Sequence, residues 1–369
     1  MKLVACFSEY ENLPVNVSHI GDLSRLNSGF AAVYESEHNL ILIRDMIGRI
    51  PLYYSKGQQG YSFQEKPGYD LLPFDKVLVY DKKTGRFSMR KRSFFSCTAS
   101  LKEPMSVIVS KLKQLVKVAI KERIVSDKLS VLFSGGVDSG IIAFMLKKFG
   151  VSVECVTACV HWQGPKLPED LVYAERAADE LGLKLKVVKC NLNETENALV
   201  ELIKILRTRD VVTLGIALPI YFAMKQCSFK HVFTGIGAEE VFAGYLRHKQ
   251  AKSINLECLR GLKGIEERDL SRDRSIALYF GKQLMMPFLD NRLVKYGLRI
   301  PGKLKIHENY TKYVLRLAAE QLGLPEFITF RKKRAAQYGS NFDKAIQKLA
   351  RLNGYKKKRD YIQSLSTAT

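Results

Sequence analysis

Apolar and polar positions alternate in short runs through the first part of the chain. Met1-Lys2-Leu3-Val4 opens a strand-like segment, and Phe30 to Tyr34, Leu40 to Ile43, Leu52 to Tyr54, Val77 to Tyr80 and Arg86 to Arg90 read as further strands. Gly21, Asn27-Ser28-Gly29, Lys56-Gly57, Lys66-Pro67-Gly68 and Lys83-Thr84-Gly85 separate them as turns. After Glu103-Pro104 the period changes, because Ile108, Leu112, Leu115, Ala119 and Ile120 recur at the spacing of one helix face. Strands and helices then alternate. Strand Leu129 to Phe133 leads to a helix from near Gly140 to Phe149, with Gly150 as its stop, and then to strand Val151 to Val160. A helix opened by Pro168 and closed by Gly182 precedes strand Leu185 to Val188. The capping box Asn193-x-x-Glu196 opens the next helix; another covers Leu214 to Lys225, and strand His231 to Thr234 follows. From about Arg247 onward the pattern is helical and basic. Such alternation predicts an α/β fold with a doubly wound parallel sheet, preceded by a small, mainly β domain. The change of period divides the chain into residues 1–98 and 99–369.

Composition adds limits. With 46% apolar and 26% charged residues the chain can bury an ordinary core, which excludes collagen-like, disordered and disulfide-stapled classes. A net charge of +22 suits polyanionic partners such as nucleotides, RNA or acidic surfaces without choosing among them. The longest uncharged stretch, Val211 to Met224, contains Gly215 and Pro219 and is shorter than a membrane helix requires. The N-terminus shows no long apolar core followed by a small-residue cleavage site, so a cytoplasmic location is expected. Seven scattered cysteines without a CxxC pair read as reduced, mostly buried thiols, Cys155 and Cys159 being able to share one strand face.

The chemistry concentrates at Ser134-Gly135-Gly136-Val137-Asp138-Ser139, between a strand and a helix. Doubly wound sheets bind ligands at such a place. Paired glycines let backbone N–H groups converge on an anion, and the following helix N-terminus adds positive potential. A carboxylate there cannot meet a phosphate directly. Beside an anion, Asp138 makes sense as a Mg²⁺ ligand. The blander reading is a tight strand-to-helix turn. Neither G-x-x-x-x-G-K-S/T nor G-x-G-x-x-G with a downstream ribose acid occurs, which removes support from P-loop kinase and dinucleotide readings.

Those six residues resemble the SGGxDS signature of the PP-loop ATP pyrophosphatases, adenine nucleotide α hydrolase-like enzymes that split ATP into AMP and pyrophosphate while adenylating an oxygen. The resemblance extends to the asparagine synthetase family. Gly235-Ile236-Gly237-Ala238-Glu239-Glu240-Val241-Phe242-Ala243-Gly244-Tyr245 looks like its GEGADELFGGY. Pro287-Phe288-Leu289-Asp290 resembles its PFLD, Lys312-Tyr313-Val314-Leu315-Arg316 its K-x-I/L-L-R, and Arg331-Lys332-Lys333 its R-x-K. Gly244 to His248 and Lys333 to Ser340 look closest to the asparagine synthetase domain-containing branch. In the front half, Ile43 to Tyr54 is similar to the RDPLGIKPLYY stretch of class II glutamine amidotransferase domains. That family's nucleophile is a cysteine at residue 2 whose own α-amino group is the base. Position 2 here is Lys2, and internal Cys6 has an amide where that amine would be. Residues 1–98 are therefore expected to be a shortened scaffold without glutaminase activity.

The resemblance implies an ATP-dependent carbon–nitrogen ligase. A substrate carboxylate attacks the α-phosphorus of ATP, pyrophosphate leaves, and ammonia displaces AMP to make an amide. Asp138 would be the first Mg²⁺ ligand and Glu239 the second. Ser134, Gly135, Gly136, Val137, Ser139, Gly235 and Gly237 would line the ATP and pyrophosphate site. Lys333 would contact phosphate oxygens as charge moves onto the pyrophosphate, although a run of four cations, Arg331 to Arg334, equally suits a solvated or RNA-facing patch. Asp210 stands where the family has an acid near the substrate, and could equally be an N-cap. Lys312 and Arg316, four apart on one helix face, can aim two cations at one anion or form a solvated basic face. Three family charges are missing: Ile236 replaces the glutamate thought to manage protons, and Gln283 and Met285 replace an E-x-R pair. The leading function is an asparagine synthetase-like amide ligase taking free or partner-delivered ammonia, with aspartate the first candidate. The alternatives are a PP-loop enzyme adenylating a tRNA base, and a non-catalytic nucleotide-binding descendant.

Overall fold

The computed structural model describes residues 2–8, 23, 26–58, 60–92, 95–97, 100–161, 167–332 and 336–366. Among its described residues the front part is mainly β. Strands β1 (Lys2–Ser8), β2 (Phe30–Glu35), β3 (Asn39–Arg44), β4 (Tyr53–Ser55), β5 (Gly60–Ser62), β6 (Asp70–Leu71), β7 (Lys76–Asp81) and β8 (Arg86–Lys91) form two antiparallel sheets. The larger has the order β1-β2-β3-β7-β8, the smaller β5-β4-β6. The two-residue period along β2 explains why that strand is buried on both sides. Ala31 and Val33 pack with Leu42, Leu52, Tyr54, Leu72 and Leu78, while Phe30, Ala32 and Tyr34 pack with Leu23, Leu26 and Ile43.

The remainder is built on a parallel sheet. Helix α1 (Met105–Lys121) precedes β9 (Lys128–Leu132), α2 (Val137–Lys148), β10 (Ser152–Val160), α3 (Glu169–Glu180), β11 (Lys184–Cys190), α4 (Leu192–Leu206), α5 (Val211–Gln226), β12 (His231–Phe233) and α6 (Ala238–Val241). A fifth strand, β13 (Gln283–Met285), completes the order β11-β10-β9-β12-β13, all pairs parallel. Chain direction across the sheet reverses on either side of β9, so the loop leaving β9 opens at the switch point, where such sheets take ligands. Helix α2 packs on β9 and β10, and α5 on β9, β10 and β11.

Three expectations shift. Helix α2 begins at Val137, not near Gly140, because only Ser134 to Gly136 are needed for the bend and Gly136 is already the extended N-cap. The capping box lies at Asn191 and Glu194, two residues before the expected Asn193 and Glu196. Both registers satisfy the spacing; the end of β11 at Cys190 selects the first, and Glu196 instead accepts a 2.6 Å hydrogen bond from Tyr361. The stretch after Arg247 is also not wholly helical, since β13 lies inside it.

The cysteines are free thiols, five of the seven buried. Cys155 and Cys159 do share β10, where burial raises both thiols above their ordinary range, and no group of three metal-ligating side chains occurs among the described residues. No described helix is long and apolar enough to cross a membrane.

Candidate active site

The loop from β9 to α2 brings the expected residues to one place. Gly135 has a left-handed φ of +68°, and its missing side chain makes room for the α3 backbone, since a Cβ there would lie 2.5 Å from the Tyr173 carbonyl oxygen. The Ser139 hydroxyl donates to the Gly136 carbonyl at 3.3 Å and accepts from the Ser134 N–H at 3.3 Å, so it fixes the bend from within. Val137 is buried as the first residue of α2. Asp138 sits in that first turn, where a carboxylate also complements the helix dipole.

Gly135→Ala is expected to lower stability by about 2–4 kcal/mol, from left-handed strain plus overpacking against α3. Gly85 has a similar φ of +66° with nothing within 4 Å of its missing Cβ. Gly85→Ala should therefore cost only the backbone part, about 1–2 kcal/mol. Urea unfolding of the two variants compares them directly; equal losses would show that the α3 contact contributes nothing.

The segment after β12 supplies the second carboxylate. A Cβ on Gly235 would lie 2.9 Å from the Asp138 Cβ, and one on Gly244 would lie 1.5 Å from Glu239 Oε2. These two glycines let the segment close onto the loop and let Glu239 fold back over its own turn. Asp138 Oδ2 and Glu239 Oε1 then converge on one ammonium, Lys312 Nζ, at 2.6 Å and 2.8 Å. Burial alone would push the Lys312 pKa down; the two carboxylates more than reverse this and hold it above the ordinary lysine value. The other Asp138 oxygen, Oδ1, is buried without a hydrogen-bond partner. An acceptor-only pair with an unused oxygen suits a hard divalent cation, so these side chains fit Mg²⁺.

Arg316 is placed differently from Lys312. Its guanidinium donates to the carbonyls of Thr311 at 2.7 Å, of Arg331 at 3.2 Å and of Thr329, tying together the segments on either side. The two cations therefore do not aim at one anion. Asp210 caps α5, accepting from the Thr213 N–H and hydroxyl, both at 2.7 Å. Lys333 lies outside the described residues, as do Arg334 and Ala335.

Arg331 was expected as the first residue of the R-x-K match and as part of a charge run; its side chain is fully buried. It donates to the Ser134 carbonyl at 2.5 Å and to Asp170 at 2.6 Å, and stacks on Tyr173 at 4.0 Å. It thus braces the glycine bend from behind. Asp170 in turn packs against Gly339, whose Cβ would lie 2.5 Å from its carboxylate. Arg331 Nε, Gln337 Oε1 and His161 Nε2 are buried polar atoms without hydrogen-bond partners. His161 follows β10, whose last residue, Val160, donates its N–H to the Ser340 carbonyl at 2.9 Å. Buried polar atoms without partners are costly. The glycines at 235 and 244 and Arg331 were visible in motifs; Asp170 and Tyr173 carried no local signal, because they meet Arg331 only after the sheet forms.

Ile236 packs against the main apolar cluster. Met285 is wholly buried in β13, and Gln283 pairs with His231 in the same sheet. No titratable side chain therefore stands at these three positions.

The family model for asparagine synthase matches residues 111–260 and 249–358. A Methanocaldococcus jannaschii protein that carries the name asparagine synthetase (glutamine-hydrolysing) 1 is 29% identical, over 91% of this chain and 73% of its own. Asparagine synthetase B (glutamine-hydrolysing) of Escherichia coli is 28% identical, over 87% of this chain and 62% of its own. The chain thus spans less than two thirds of the bacterial relative's length. Among solved structures, the NH3-dependent NAD synthetase of Campylobacter jejuni aligns with 72% of this chain and 99% of its own, at 17% identity and a TM-score of 0.31. With the family model covering well over half of its length, the chain belongs to the asparagine synthase family.

Proposed function

We propose that this protein is an ATP-dependent carbon–nitrogen ligase that adenylates a carboxylate, aspartate being the first candidate, releases pyrophosphate, and lets ammonia displace AMP to leave an amide. The observation that carries the reading is the meeting of Asp138 and Glu239 on one cation at the edge of the glycine bend. Asp138 and Glu239 would hold Mg²⁺, which when bound supplies positive charge opposite the departing pyrophosphate. The bend, braced by Arg331, positions the triphosphate, and Lys333 meets phosphate oxygens as the family resemblance implies. In the first step a substrate oxygen bonds to the α-phosphorus and the bond to the bridging oxygen breaks. In the second, nitrogen bonds to the acyl carbon and AMP leaves. Ile236 offers no base for the ammonium proton, so the second step should be slower by about 10²–10⁴-fold than one with a positioned general base.

We also read residues 1–98 as a glutaminase-like scaffold that does no glutamine chemistry, and 99–369 as the ligase part. Cys6 lies in the middle of β1 opposite Ala32, and burial pushes its thiol up to about 11, far from a thiolate nucleophile. Ammonia would then come free or from a separate protein.

Exchange of labelled pyrophosphate into ATP, run across a panel of carboxylates with aspartate tried first, tests the reading. Exchange should require one carboxylate, and net AMP and amide should require ammonium as well. ATP turnover to ADP, or AMP formation indifferent to every carboxylate, would defeat it.

A further inference from the structure

The position of Lys312 says more than the assignment of its neighbours. Its backbone is left-handed, φ +55°, at the residue that precedes the helix Tyr313–Leu322, and its side chain is only 6% exposed. The Nζ makes the two short contacts to Asp138 and Glu239, from segments 174 and 73 residues away. Arg316, one turn on, is held by three backbone carbonyls and cannot replace it.

The geometry points to Lys312 as a resident counter-cation that competes with the metal for Asp138 and Glu239 and is released to the triphosphate, so that metal and nucleotide bind as a coupled pair. This rests on the metal-assisted reading of the site. A divalent ion arriving alone must break both lysine ion pairs to reach the same oxygens, and it leaves a buried ammonium without an acceptor, which is unfavourable. A triphosphate arriving with the metal gives that ammonium new acceptor oxygens at the edge of the same bend. The coupling is therefore positive, and by linkage each ligand strengthens the other to the same extent. Two carboxylates that meet without a cation would also repel, so the lysine keeps the bend and the segment after β12 together until the ligands come. Lys312 is on this account a positioning residue whose removal acts in opposite directions on two ligands.

That sign reversal is the test. Binding of Mn²⁺ alone is followed through the paramagnetic signal of the free ion, and binding of the Mg²⁺ complex of α,β-methylene-ATP by calorimetry, both on the full chain. Lys312→Met should bind Mn²⁺ alone at least tenfold more tightly than the parent chain and the Mg²⁺–nucleotide complex at least tenfold more weakly. Weakening of both would make Lys312 a structural prop, and unchanged Mn²⁺ affinity would remove the competition; either overturns the proposal. If the methionine variant does not fold, Lys312→Gln, which keeps a neutral polar head near the two carboxylates without the charge, should show the same pair of opposite shifts. Asp138→Asn and Glu239→Gln separate the two levels of the argument. If they lose Mn²⁺ binding while Lys312→Met matches the parent chain, only the lysine's role fails. If they bind Mn²⁺ as the parent does, the metal reading of the site fails with it.

Discussion

Asp138→Ala should abolish carboxylate-dependent pyrophosphate exchange, by at least about 10²–10³-fold, while the protein stays folded. Losing one preorganised electrostatic contact to a developing charge typically costs that much. Its Oδ2 meets Lys312 at 2.6 Å and its Oδ1 is buried without a partner, so one side chain supplies one engaged and one unused oxygen. The truncation leaves Lys312 paired with Glu239 at 2.8 Å, and the apolar packing of α2 through Ile141, Ile142 and Met145 is untouched. Circular dichroism should accordingly match the parent chain. Asp138→Asn, which keeps the shape and one acceptor oxygen, should lose nearly as much activity, because charge rather than volume is needed opposite a divalent cation. Exchange that survives in both variants would show that adenylation does not pass through this carboxylate. AMP formation by the parent chain that disappears with Asp138 would at the same time exclude a purely nucleotide-binding descendant.

The residues that could be read from the sequence were those whose partners are local. The glycine pair before Val137 announces a strand-to-helix bend wherever it occurs, and the 3.6-residue spacing from Ile108 to Ile120 gives α1 without any knowledge of what it packs on. The same local logic misplaced two boundaries. Asn191 and Asn193 each stand three residues before a glutamate, and only the length of β11 decides between them. Strand β13 is three residues long and carries no alternation of its own; it exists because Thr234 and Gln283 donate backbone N–H groups to the Met285 and Lys230 carbonyls at the edge of the sheet. At the site, Asp138 and Glu239 could be paired by motif, and Arg331 could be placed at the start of R-x-K, but its brace behind the bend could not be read. Its burial depends on Tyr173 and Asp170 from α3, more than 150 positions earlier in the chain, and no charge pattern encodes such a meeting.

Arg49→Ala should lower stability by about 3–5 kcal/mol, the cost of leaving a buried charge without its partner. Arg49 and Asp45 are both fully buried, 3.0 Å apart, and Asp45 also accepts from the N–H groups of Ile47 and Ile50. The rest of the guanidinium crosses between the β sheets and the parallel sheet's half. It donates to the Leu289 carbonyl at 2.6 Å and Asn291 Oδ1 at 3.0 Å on one side, and to the carbonyls of Ser28 at 2.8 Å and Asn27 at 3.1 Å on the other. Truncation therefore takes one donor from each of four acceptors as well as from the carboxylate, although the Asn27 carbonyl keeps the Asn291 N–H and Asp45 keeps the N–H groups of Ile47 and Ile50. An exposed pair such as Lys82 and Glu35, 34% and 47% accessible, makes the contrast: Lys82→Ala should change stability by no more than about 1 kcal/mol. The consequence of losing Arg49 should not stop at the boundary. Leu289 Cδ2 would lie 2.3 Å from a Cβ on Gly237, the residue that leads into α6 and Glu239, so the anchor of Leu289 also supports the second carboxylate. In Arg49→Ala, backbone amides of residues 237–244 and 285–291 should exchange with solvent faster before those of β9 and β10 do, as expected of a region whose local anchor has gone. Arg49→Lys keeps the charge beside Asp45 but cannot reach both sides, and should fall between the two. Protection that drops uniformly, or stability that changes no more than in Lys82→Ala, would mean that the front β sheets merely cover the parallel-sheet half; the ordered loss would mean that they hold Asp138 and Glu239 in place.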